Sequence, residues 1–134
     1  METFPAPPHD TFAEEYVLAS CLKRPELVNA CRLHPGDFYH LAHREAWVAM
    51  LQVGAGLDAL GEALHYGPAY LALWQADWSR PTDGALGAAA RVRNCARHRD
   101  LLSVAQRLAE RAWDASRPLS ADEASVLRLF AHRP

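Results

Sequence analysis

The pattern that builds β-strands is missing from this chain, and that constrains its fold more than any other feature. Isoleucine does not occur, no stretch alternates β-branched with polar residues, and Ala, Leu, Arg and Glu dominate. These residues lose little on entering a helix, and the apolar ones recur at helical spacing. We expect an all-α protein: a compact head of about five short helices, followed by a long-helix αα-hairpin.

Prolines and glycines cut the chain into helix-length pieces. Pro5, Pro7 and Pro8 crowd the first ten residues, which should run as an extended arm. Thr11, with Glu14 three residues on, reads as a capping box for a helix whose apolar face uses Phe12, Tyr16, Leu18, Ala19 and Leu22. Lys23-Arg24-Pro25 stops it, and Pro25 opens a short second helix ending near Leu33. After the turn His34-Pro35-Gly36-Asp37, a longer helix from about Leu41 to Val53 carries Trp47, Met50 and Leu51, and Gly54 and Gly56 end it. Asp58 fits the cap of a short helix through Leu64, and another short helix after Gly67-Pro68 carries Tyr70, Leu71, Leu73 and Trp74. The longest element, about Ala85 to Ala115, presents Leu86, Ala90, Leu101, Ala105, Leu108 and Ala112 on one face. Ser116-Arg117-Pro118 breaks it. A return helix starts at Ser120 with Glu123 as capping-box partner and shows Val126, Leu127 and Phe130 as its stripe. The expected division is an arm (1–10), a head (11–84) and a hairpin (85–132), all one domain.

At 134 residues, half of them apolar and 22% charged, the chain has the balance of a globular protein. No apolar run approaches the length of a membrane span and no charged-then-apolar leader opens it, so it reads as cytoplasmic and unprocessed. Cys21, Cys31 and Cys95 lack C-x-x-C spacing and read as reduced thiols. The net charge of −2 hides an asymmetry: residues 1–79 carry four basic and ten acidic side chains, and residues 80–117 carry eight arginines against four acids. Such a split suggests a polar molecule that can stack head to tail or present two unlike faces.

Several motifs in order resemble the N-terminal domain of bacterial replicative DNA helicases of the DnaB type. PPHDTFAEEYVL resembles the family's Pro-Pro lead-in and A-E-x-x-V-L pattern, with Ala13, Glu14, Val17 and Leu18 in place and Ala19 where a glycine is usual. Asp37, Phe38, Tyr39 and His43 match D-F-Y-x-x-x-H, and Gly56 and Asp58 fit a glycine–aspartate turn. Tyr70-Leu71 fits a Y-L pair. Ala90, Val92, Arg93 and Arg99 fit the long helix, and ADEASVLRLFA (Ala121–Ala131) fits the return helix. The resemblance spans about Pro7 to Ala131, with a shorter Asp58–Tyr70 segment and a briefer return helix than usual. It implies a non-catalytic domain whose hairpins pair between subunits, whose dimers close into a hexameric collar, and on which primase or a helicase loader docks. Leu101, Leu108, Trp113, Leu127 and Phe130 are the interface residues we expect. A stand-alone relative of phage or plasmid type, binding a host helicase or primase as loader or regulator, is the alternative reading.

Other chemistry finds less support. No G-x-x-x-x-G-K-[ST] run occurs, so no phosphate loop is present, and neither a nucleophile–base pairing nor a cofactor site is expected. Cys31, His34, His40 and His43 have zinc-ligand chemistry, but C-x2-H-x5-H-x2-H spreads them over a turn and two helix ends. No metal is expected there, and a packed core histidine accounts for His43. Capping accounts for Glu14 and turn formation for Asp37. Arg91, Arg93, Arg97 and Arg99, with Arg107 and Arg111 further along, are candidate phosphate contacts for a nucleic-acid-binding protein. The acidic chain and scarce exposed aromatics make direct DNA binding weak or absent. Trp78 and Trp113, near element ends, are the better interface tryptophans.

Overall fold

The computed structural model describes residues 6–130, and the backbone alone of Phe130. Among the described residues all regular structure is helical: α1 (Thr11–Lys23), α2 (Leu27–Ala30), α3 (Leu41–Val53), α4 (Leu57–Ala63), α5 (Pro68–Gln75), α6 (Ala85–Trp113) and α7 (Ala121–Phe130). Single 3-10 turns occupy Pro35–Asp37 and Thr82–Gly84. The chain divides into two compact units between Leu101 and Leu102. The part of the expected arm that precedes residue 6 lies outside the described residues.

In the first unit α3 is the central helix, packed against α1, α4, α5 and the Pro35–Asp37 turn. It starts and stops where the sequence places it, and Gly54 ends it at φ 85°, a backbone conformation that costs glycine nothing. Trp47 and Phe38 form the centre, both at 0% exposure with ring centroids 5.3 Å apart. The buried indole N–H of Trp47 donates to the Leu33 carbonyl at 2.9 Å, so its burial leaves no polar group unpaired. Leu18, Met50, Leu60 and Leu73 complete the core. Burying each such side chain contributes about 1.5–3 kcal/mol.

Two helix faces differ from expectation. In α1 the expected Leu18 and Ala19 are buried and Tyr16 and Leu22 pack against the core, but Phe12 is 48% exposed, and Ala13, Glu14, Val17 and Cys21 join the inner face of this helix. Its cap is Asp10, whose side chain accepts from the Ala13 N–H at 2.9 Å, and Thr11 is the first helical residue. In α6 the buried set is Ala85, Ala88, Ala89, Val92 and Ala96, whereas Leu86 and Ala90 face outward. Four of these five inward residues are alanines, so the inner face of α6 is its small-residue side and not its bulky one. For the shorter helices, α2 begins at Leu27 rather than Pro25, and Gly56 rather than Asp58 precedes α4.

The second unit holds the C-terminal end of α6, the connecting turn and α7. The expected capping box of α7 is present: Ser120 N–H donates to Glu123 Oε1 at 2.9 Å, and Glu123 N–H to Ser120 Oγ at 3.1 Å.

Candidate protein-interaction site

The motif residues of the first unit converge on one buried carboxylate. Glu14, 1% exposed, accepts from the Tyr39 backbone N–H at 2.9 Å, the His40 N–H at 3.4 Å and His43 Nδ1 at 2.9 Å. Burial alone would raise its pKa, but the hydrogen bonds from His43 and from these two N–H groups outweigh burial and hold it below the ordinary glutamate value. Glu14 is therefore an anchor for the start of α3, not the capping residue its position suggests. His43, 6% exposed, is the side-chain partner that joins it to α3.

The other motif residues have distinct places. Asp37 holds its turn by accepting from His34 N–H at 2.9 Å. Tyr39 is half-buried, with His9 stacked on its ring at 4.2 Å. Tyr70 is half-buried between Tyr66 and Trp74. Leu71 is 55% exposed, and Leu73, two residues on, fills the core instead. Trp78 is half-buried, stacked on Trp74, and its N–H donates to the Leu73 carbonyl at 2.9 Å. Of the residues weighed as zinc ligands, Cys31 is part of the buried core, His34 is exposed, His40 Nε2 lies 2.6 Å from Thr11 Oγ1, and His43 is bound to Glu14.

Three of the four leading candidate phosphate-binding arginines are engaged within the first unit. Arg91 Nε lies 3.5 Å from Asp10, Arg93 donates to the Cys31 carbonyl, and Arg99 donates to the carbonyls of Pro8 at 2.9 Å and Asp37 at 2.7 Å. Arg97 is exposed, as is Arg107 in the second unit. Arg99 in particular ties α6 to both the arm and the Phe38 turn, a role invisible in sequence because its acceptors are backbone carbonyls.

The second unit has the opposite character. No residue from 102 to 129 is buried. Leu108 is 57% exposed, Trp113 89% and Leu127 52%, and Leu101, at the end of the first unit, is 65% exposed. Leu102, Val104, Leu119, Val126 and Leu129, which are not among the expected interface residues, are also exposed. A groove of about 880 Å³ runs between the end of α6 and α7, with Leu108, Ala112, Leu119, Val126 and Leu127 in its apolar wall. The side chain of Phe130, also expected at an interface, lies outside the described residues.

Arg111 holds this unit together. Its guanidinium grips Glu123 with two bonds, at 2.7 and 2.9 Å, and donates to the carbonyls of Asp114, Arg117 and Pro118 across the turn. The Arg111 bond, with the Ser120 N–H, pulls the Glu123 carboxyl down to about 2. A candidate phosphate contact by sequence, Arg111 is the clasp of the hairpin. With that clasp closed, the unit joins two helices through polar bonds and leaves its apolar side chains uncovered.

Residues 6–55 match the family model described as the DnaB-like helicase N terminal domain. Among solved structures, the chain is similar to the N-terminal domain of DnaB helicase from Mycobacterium tuberculosis, with a TM-score of 0.78 and 22% identity over 93% of this chain and 99% of that one. No curated protein matches it. The resemblance drawn from the sequence is borne out as a similarity: residues 6–55 match that family's model, and the fold over most of the chain is that of the solved domain.

Proposed function

We propose that this chain is the non-catalytic oligomerisation and docking domain of a DnaB-type replicative helicase, acting in DNA replication. One observation carries the reading: residues 102–129 contain no buried residue while exposing Leu108, Trp113, Val126, Leu127 and Leu129. Uncovered apolar side chains in such density on a two-helix unit call for a partner surface. A second copy is the partner we assign, its hairpin laid against this one in a two-fold, self-complementary pair. The arm (1–10), head (11–84) and hairpin (85–132) are the working parts. Three dimers would close a hexameric collar through their heads, presenting a surface to primase or a helicase loader in the cytoplasm. No helix among the described residues is long and apolar enough to cross a membrane.

Direct DNA binding is weak or absent on this reading, because Arg91, Arg93 and Arg99 are held by protein groups. Light scattering on the purified chain, alone and mixed with primase, tests the proposal. The expected result is a concentration-dependent mass of two or six chains and a heavier species with primase. A single-chain mass in both samples would remove the proposal.

A further inference from the structure

Three imidazoles gather where the arm meets the head, and only one buried carboxylate balances them. His9 of the arm stacks on Tyr39 at 4.2 Å with its plane tilted 19°, and lies 5.6 Å from the His40 ring. His40 is 5.1 Å from His43, which is bonded to Glu14. The charged neighbours on the packed elements are few. From α1 come Glu14 and, further off, Glu15; from α6 comes Arg99, its guanidinium 5.7 Å from the Tyr39 ring and bonded to the Pro8 carbonyl. Asp10 is already paired with Arg91 and caps α1, and Asp37 turns its carboxylate to the His34 N–H.

We propose that residues 7–9 form a proton-sensitive latch, seated on Tyr39 while the three imidazoles are neutral and released when they charge. One imidazolium can be balanced by Glu14. A second or third would set like charges about 5–6 Å apart beside Arg99, opposed beyond Glu14 only by the exposed Glu15. His9 is the ring that can leave, because it belongs to the arm and its Nδ1 bonds only to the Pro7 carbonyl two residues back. Asp10, fixed as the α1 cap, is the hinge. Burial holds the His40 pKa below its ordinary value of 6.5, and His43 and His9 push it down further against the pull of Glu14 and Glu15, which is the direction the latch requires. A group neutral in the seated state stabilises that state above pH 6.5 and ceases to do so as pH falls below it.

The test is nuclear Overhauser contact between the His9 and Tyr39 rings in the full chain, with the Trp47 indole resonance reporting that the head stays folded. At about pH 7.5 the contact should be present, and at about pH 5.5 it should be lost with the Trp47 signal unchanged. His9→Phe keeps a ring that stacks but cannot charge, and its contact to Tyr39 should survive at both pH values. His40→Gln removes one charge from the cluster and should shift release to lower pH. A wild-type contact that persists at the lower pH, or one lost equally in His9→Phe, would overturn the latch.

Discussion

Glu14 and His43 are joined at 2.9 Å, with both side chains withdrawn from water. They tie α1 to α3, and the same carboxylate fixes the backbone at Tyr39 and His40. Removing the carboxylate charge weakens the hydrogen bonds from His43, Tyr39 and His40 and leaves a buried donor unmatched, at a cost of about 1–3 kcal/mol. Glu14→Gln should therefore lower the melting temperature by roughly 10 °C. The lowered Glu14 pKa means that its contribution is present above the ordinary value of 4.5 and lost as pH falls below it. Thermal melts from about pH 6 to about pH 3 should show a steeper loss for the wild type than for Glu14→Gln. Parallel curves would show that the carboxylate is not charged in the fold.

Phe38 is fully buried against Trp47. Phe38→Ala leaves a cavity at the centre of the first unit and should cost about 3–5 kcal/mol, a large share of the roughly 5–15 kcal/mol that holds such a domain. His43→Ala should destabilise too, since it removes the side-chain donor to a buried carboxylate. Denaturant titration measures both, and an unchanged midpoint for Phe38→Ala would contradict the packing described.

The Arg111–Glu123 clasp sets a second acid dependence. Glu123, pulled down to about 2, contributes to α7 above the ordinary value of 4.5 and ceases to as pH falls toward 2. Glu123→Ala removes both the clasp and half of the capping box. It should lower helical ellipticity at neutral pH while the Trp47 environment stays unaltered. Full retention of helix in that variant would show that α7 is held by something other than Arg111.

The sequence contains no phosphate loop, so calorimetry with ATP, with and without magnesium, should register no saturable heat. Saturable binding would place the chain in a different functional class.

What local chemistry controls is legible in the sequence. The limits of α3 follow from a glycine stop, and the start of α7 from a serine–glutamate capping box, both written within a few residues. The inner face of α6 is not legible, because the buried Ala85, Ala88, Ala89 and Ala96 carry little hydrophobic weight, while Leu86 carries much and points outward. Glu14 stands out as a motif residue but not as a buried anchor, since two of its three donors are backbone groups about 25 residues away. Arg111 and Arg99 read as cations available to a ligand, because carbonyl acceptors leave no trace in a sequence.

The central claim is that the apolar side chains of residues 102–129 are covered by a second copy of the chain. Sedimentation equilibrium of the wild type against a Leu108→Glu, Leu127→Glu double variant tests it directly, because both positions are exposed and neither change disturbs a buried contact. At a concentration on the order of tens of micromolar, the range of weak association, the wild type should sediment as a dimer or larger. The variant should sediment as a folded monomer of unchanged helicity. A strictly monomeric wild type, or a variant that associates as well as the wild type, would contradict the account.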